Sequence, residues 1–140
     1  MADPRDEMDE LLNACLPFAR QMLEQHGEFH PFGATITSEG QLGLEGADPG
    51  EEFPAGQDLV QFLVSALKTR AAQNAIKATA ICANVTMKRP AGDRDAVPVA
   101  IEHRDAQPIV VFMPYRKKRL RGYDFDELSA AEGVSTIFGA

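Results

Sequence analysis

EFHPFGATIT, residues 28–37, is where the chain changes its periodicity, and its reading decides the fold. Before it, apolar residues recur every three or four positions; after it they alternate. Pro31 pushes His30 out of the helical region. Gly33 permits a tight turn, and Thr35, Ile36 and Thr37 suit a pleated strand. The stretch is a crossover from helix to strand, with Phe29 and Phe32 anchoring it to a core. His30 is the residue that invites a chemical reading. It lies four positions after His26, as a second metal ligand on a helix face would, but Gly27 and Pro31 break that helix. Anchoring is the stronger reading, and neither a metal ligand nor a catalytic group is assigned there.

Upstream, DELLNACLPFARQMLEQHG places Leu11, Leu12, Cys15, Ala19, Met22 and Leu23 on one helical stripe. Pro17 has no N–H for the carbonyl of Asn13, so a kink or a fresh start is expected there. Gly27 stops the helix. Residues 1–9 are expected to be a flexible acidic N-terminus. Downstream, SEGQ joins two short extended pieces as a hairpin, with Gly40 supplying the positive φ. Residues 46–57 form a long Gly/Pro/Glu-rich loop whose one apolar anchor is Phe53.

Asp58 is the expected N-cap of a second helix, DLVQFLVSALKTRAAQNA. Its stripe is Leu59, Phe62, Leu63, Ala66, Leu67 and Arg70. Three strands follow: KATAICANVTMK, VPVAIEHR and IVVFMPYRKKRLR. Pro98 cannot donate to a ladder and is expected at an edge or a bulge. The tail, GYDFDELSAAEGVSTIFGA, suggests a short helix capped near Asp124 or Asp126 and stopped by Gly133, with Ile137 and Phe138 tying down the terminus.

The order is α-β-β-α-β-β-β-α, an α+β domain with an antiparallel sheet of about five strands packed on helices. Roadblock and profilin-like folds share that order, an analogy of topology that carries no function. At 140 residues the chain fits one domain, spanning 1–140. With 44% hydrophobic and 25% charged residues it has the composition of a soluble globular protein. No apolar run approaches the roughly 18 residues of a membrane span. The N-terminal residues lack the apolar core of a signal peptide, which makes the cytoplasm the expected location.

Three groups of residues, LPFARQMLEQHGEFHPFGA (16–34), AIEHRD (100–105) and MPY (113–115), resemble a group of small uncharacterised bacterial proteins that share an F-x-P-F-G segment. The resemblance spans nearly the whole chain. No activity is established for that group, so it implies no catalytic residue.

The remaining chemistry is sparse. Cys15 and Cys82 sit in apolar segments and are expected to be reduced, buried and inert. Glu102 and His103 are adjacent on a strand and so point to opposite faces. A hydrogen-bonded, partly buried His103 is the stronger reading over a general base. No nucleophile motif and no phosphate-binding loop is complete, and no cofactor is expected.

Charge is unevenly spread around the net −7. Residues 1–70 hold 4 basic and 13 acidic side chains (4 − 13 = −9), and residues 71–140 hold 10 and 8 (10 − 8 = +2). The overall acidity argues against a general nucleic-acid binder. The asymmetry suggests that the two halves attract each other, within one chain or between chains.

The sharpest feature is YRKKRLRGY, residues 115–123: Arg116, Lys117, Lys118, Arg119 and Arg121 between Tyr115 and Tyr123. Strand-edge protection and internal pairing come first as explanations. A protein partner comes second, and a polyanion stacking on the tyrosines third. The expectation is a cytoplasmic interaction or scaffold domain, homodimeric, with these seven residues as its candidate binding surface. An enzyme, or a small-ligand or polyanion binder using a pocket or the basic run, is the alternative.

Overall fold

The computed structural model describes residues 3–46, 56–88 and 90–139. Helix α1 spans Pro4–His26. Asp3 caps it by accepting the Arg5 N–H at 2.8 Å, and Pro4 takes a first-turn position where a missing N–H costs nothing. Residues 4–9, expected to be loose, are therefore the first turns of α1, and Glu7 and Met8 are buried. The helix runs through Pro17 without a restart. Both Pro17 and Asn13 face solvent, where water can serve the carbonyl that loses its donor. Gly27, at φ 77°, returns its N–H to Leu23 at 2.8 Å and ends the helix.

Strands β1 (Phe32–Thr37) and β2 (Leu42–Gly46) form the expected hairpin, with Gly40 at φ 92°. Gly33 lies within β1 rather than in a turn. A Cβ there would meet the Ala80 carbonyl at 3.3 Å and Leu63 at 3.7 Å, so its role is close packing. Helix α2 (Gly56–Ala72) begins before Asp58, which sits in the first turn instead of capping it. Residues 47–55 of the expected loop, with Phe53, lie outside the described residues. On α2, Leu59, Leu63 and Leu67 are buried but Phe62 is 42% exposed, a narrower stripe than the spacing implied.

Six further strands follow: β3 (Ile76–Cys82), β4 (Val85–Met87), β5 (Arg94–His103), β6 (Ala106–Lys117), β7 (Tyr123–Phe125) and β8 (Ser129–Glu132). The sheet is antiparallel, in the order β2-β1-β3-β5-β6-β7; β4 also pairs with β5, and β8 with β6. The domain is thus α+β as expected. Among the described residues, however, it has two helices and a curled sheet of eight strands, where about five strands and a closing helix were expected.

Two local rules explain the difference. β3 and β4 pair with β5 in one unbroken register, Cys82 with Val99 and Val85 with Ala96. The gap falls at Ala83 and Asn84. Ala83 donates to Pro98 at 3.2 Å, but Pro98 has no N–H to return, so one strand becomes two. Pro98 thus lies in an inner strand, contrary to the edge or bulge expected of it. The tail is strand because β6 offers an open outer edge. Ser129–Glu132 is exposed throughout, with no apolar face to hold a helix, and the ladder with β6 satisfies its backbone.

Helix α1 covers one sheet face. Leu11, Cys15, Ala19 and Leu23 pack on Ala34, Ile36, Ala78, Ala80, Cys82, Val97 and Val99, all at 0% exposure. The opposite face carries α2 and the C-terminal segment, where Leu67, Ile76 and Ile137 form a second, smaller cluster. No helix among the described residues is long and apolar enough to cross a membrane.

Phe32 begins β1 at 6% exposure, edge-on to Phe18 at 4.9 Å and tilted against Phe29 at 5.6 Å. Phe32→Ala is expected to lower stability by about 3–5 kcal/mol, read as a shift in the urea midpoint. A midpoint within error of the parent's would mean that the ring does not anchor the crossover.

Candidate functional site

The crossover that anchors β1 also walls a cleft of about 710 Å³, within the range of small-ligand sites. Met22, Phe29, Pro31, Val60 and Val85 supply its apolar lining. His26, Glu28, His30 and Asn84 supply the polar groups. The two histidines, separated by the helix stop at Gly27, therefore meet one cavity from different backbone segments. Among the described residues no group of three or more His, Cys, Asp or Glu side chains is placed to hold a metal ion.

Asn84 enters the cleft because Pro98 interrupts the strand beside it. Its side chain is held from behind: the Tyr115 hydroxyl donates to Asn84 Oδ1. Burial, with the Asp95 charge adding to it, pushes the Tyr115 phenol up to about 12, so it keeps the proton it donates. With the amide oxygen so engaged, the two amide N–H groups of Asn84 are left for other partners.

Tyr115 is 6% exposed and turned toward α1, and Tyr123 packs beside it at 6.0 Å between ring centres. The tyrosines expected to flank a basic surface are thus largely part of the core, and the stacking they were to offer a polyanion is turned away from it. The basic run is a hairpin tip: Lys118 bonds to Gly122 at 2.9 Å, and Gly122 turns the chain at φ 88°. Arg116 and Lys118 both approach Asp124, at 3.7 and 3.4 Å. Lys117, Arg119 and Arg121 are exposed, and Leu120 between the arginines is 99% exposed. The structure does not bring this hairpin tip into the cleft lining.

The adjacent pair on β5 divides as the strand alternation requires. His103 faces α1, where Nε2 is 3.0 Å from Glu7 Oε1. Its Nδ1 accepts the Asp105 N–H at 3.0 Å, which puts the ring proton on Nε2, facing Glu7. Lys77 Nζ lies 2.8 Å from Glu7 Oε2. Glu102 faces the other way and accepts from the N–H groups of Thr136, Ile137 and Phe138 at 3.0, 2.9 and 3.3 Å, with the Thr136 hydroxyl at 2.8 Å. One carboxylate thereby pins the C-terminal segment. Both residues have structural partners, and neither lines the cleft. Cys15 and Cys82 are free, buried thiols. Burial pushes Cys15 up to about 12 and raises Cys82 as well, so neither is a ready nucleophile.

The two outer edges of the sheet differ in character. β7 and β8 are short and carry Asp124 and Glu132, whereas β2 carries Leu42 and Leu44 at 42% and 46% exposure. Sequence reasoning missed Asn84, Val60 and Glu28 as cleft residues, and passed over β2 as a surface. The leucines of LGLEG, unprotected by lysine or proline, were the available signal for the edge.

The chain matches no protein-family model, no curated protein and no solved structure. The roadblock and profilin-like analogy was drawn from an order with three strands and a closing helix after α2, and the described residues show six strands there instead.

Burial raises the Glu7 carboxyl, but the hydrogen bonds from Lys77 and His103 and the Lys77 charge outweigh it, and the net shift is downward. The stabilisation this represents is complete above the unfolded value of 4.5 and is lost as pH falls through the lower folded value. Glu7→Gln is expected to cost about 3 kcal/mol at neutral pH by leaving Lys77 unpaired. The gap from the parent protein should narrow in urea titrations taken well into the acid range. A gap that stays constant with pH would exclude the ionised pair.

Proposed function

We propose that the protein is a homodimeric interaction module whose two copies join edge to edge at β2, forming one continuous sheet. The observation that carries this reading is the open, apolar edge of β2. Thr37 donates to Gln41 at 2.8 Å, which fixes the phase of the hairpin ladder. Inward-bonded residues then alternate with outward-facing ones, so the N–H and C=O groups of Leu42, Leu44 and Gly46 point away from β1. Edges of this kind are templates for another strand unless charge, proline or a bulge protects them.

The strand is also complementary to itself. Antiparallel pairing with Leu44 opposite its own copy sets Leu42 against Gly46 and Glu45 against Gly43. The leucines of both copies then share the α1 side of the joined sheet, since Leu42 and Leu44 pair with Ile36 and Ala34. No like charges meet, and Glu45 is already bonded to Arg70 of its own chain. The hairpin carrying Arg116–Arg121 lies toward the other edge of the sheet and stays open to a protein partner in the joined pair.

Sedimentation equilibrium is expected to give a mass of two chains for the parent protein. Leu44→Lys, which sets two cations face to face on the two-fold axis, is expected to give one chain that still unfolds cooperatively, at a melting temperature lowered only by the lost association. Leu44→Pro should do the same, because that N–H serves no bond within the chain. Gly43→Pro should instead destabilise the monomer, because the Gly43 N–H bonds inward to Thr35. A parent protein that is monomeric at high micromolar concentration, or a Leu44→Lys protein that is still a dimer, would remove the proposal.

A further inference from the structure

The cleft beside the crossover points to a ligand of its own, beyond any role in self-association. It draws on four parts of the chain: the end of α1, the segment 28–31, Val60 of α2, and residues 83–85 where Pro98 breaks the strand. None of these lining residues belongs to β2.

Its chemistry has three components. The apolar part, formed by Met22, Phe29, Pro31, Val60 and Val85, suits a hydrocarbon or aromatic group. The donor part is Asn84. Its Oδ1 already accepts from Tyr115, which leaves the two amide N–H groups to serve a ligand, from a half-buried position where a hydrogen bond is less diluted by solvent. The third part is Glu28, an exposed carboxylate on the cleft lining. Glu28 disfavours a simple carboxylic acid. A simple amine would leave the Asn84 N–H groups without an acceptor. A molecule carrying both a carboxylate and an ammonium group beside an apolar side chain satisfies all three.

We infer that this cleft binds a free α-amino acid with an apolar side chain. The carboxylate accepts from the Asn84 amide, the ammonium faces Glu28, and the side chain lies against Phe29 and Val60.

The test is calorimetric titration of the full chain with L-phenylalanine and L-leucine, with phenylacetate and phenethylamine as singly charged analogues. Each analogue is expected to bind at least roughly tenfold more weakly than L-phenylalanine, the loss of about one charge-assisted hydrogen bond. Asn84→Asp keeps an acceptor for Tyr115 but replaces the amide donors with a carboxylate oxygen. It should weaken L-phenylalanine by a similar factor while leaving the melting temperature unchanged. Glu28→Gln, at an exposed position, should weaken L-phenylalanine and strengthen phenylacetate, whose carboxylate it no longer repels. Val60→Trp should weaken L-phenylalanine by occupying the apolar side of the cleft, and it provides a second test if the aspartate variant folds poorly. The proposal is overturned if either analogue binds as tightly as L-phenylalanine, or if the variants bind it unchanged. It is overturned equally if no heat is seen for either amino acid up to about 10 mM, the weak end of specific binding.

Discussion

The whole structure depends on how closely α1 lies in the hollow of the sheet. Where the helix crosses, both surfaces are built from small residues: Cys15 and Ala19 above, Ala34, Ala78, Ala80 and Cys82 below, all fully buried. Small residues bring the backbones together, and the larger side chains close the packing around them: Leu11 and Leu23 along the helix, Ile36, Met113 and Phe32 along the sheet. Because a packed interior has little free volume, the two surfaces fix each other's shape. The buried thiols follow from this. Their place is one for small apolar groups, and their raised pKa values are the electrostatic consequence of the same burial.

The buried Glu7, Glu102 and His103 side chains all have hydrogen-bond partners. At the end of β5, His103 turns inward to Glu7 and Glu102 outward to the C-terminal segment, so consecutive residues tie the start of one helix and the end of the chain to one strand. The candidate cleft lies at the other end of α1, past Met22. The buried ion pair and the candidate cleft therefore sit at different ends of the same helix. The β2 edge is a third region, joined to the rest through the hairpin and the bond from Arg70 to Glu45. Leu44 and Glu28 therefore both lie away from the buried carboxylate at Glu7.

Much of the fold was legible in local pattern. The helix stop at Gly27, the strand through Thr35, Ile36 and Thr37, the turn at Gly40 and the opposed faces of Glu102 and His103 all follow from rules spanning a few residues. What was not legible depended on partners far along the chain. Residues 4–9 hold no apolar stripe, yet they fold because Lys77 and His103 bury Glu7. SAAE has helical composition, yet it pairs with the open edge of β6. Of the cleft, the F-H-P-F-G segment drew attention through His30, but Asn84 did not, since its position follows from Pro98 on a neighbouring strand. The basic run was visible at once, while the inward turn of its tyrosines was not: alternation gives two faces without saying which one the core will cover.

By itself, then, the sequence determined the helix stop at Gly27, the turn at Gly40 and which strand side chains share a face, because these are set by φ restriction, glycine and proline chemistry, and the period of the apolar residues. It also set the mixed α and β character of the domain. Only the tertiary structure decided the number of strands, the fate of the tail, and the surfaces left open on β2 and at the cleft. Those outcomes rest on which backbone edge finds a partner and which face finds a cover, and both are contacts between residues distant in sequence whose energies no local window contains.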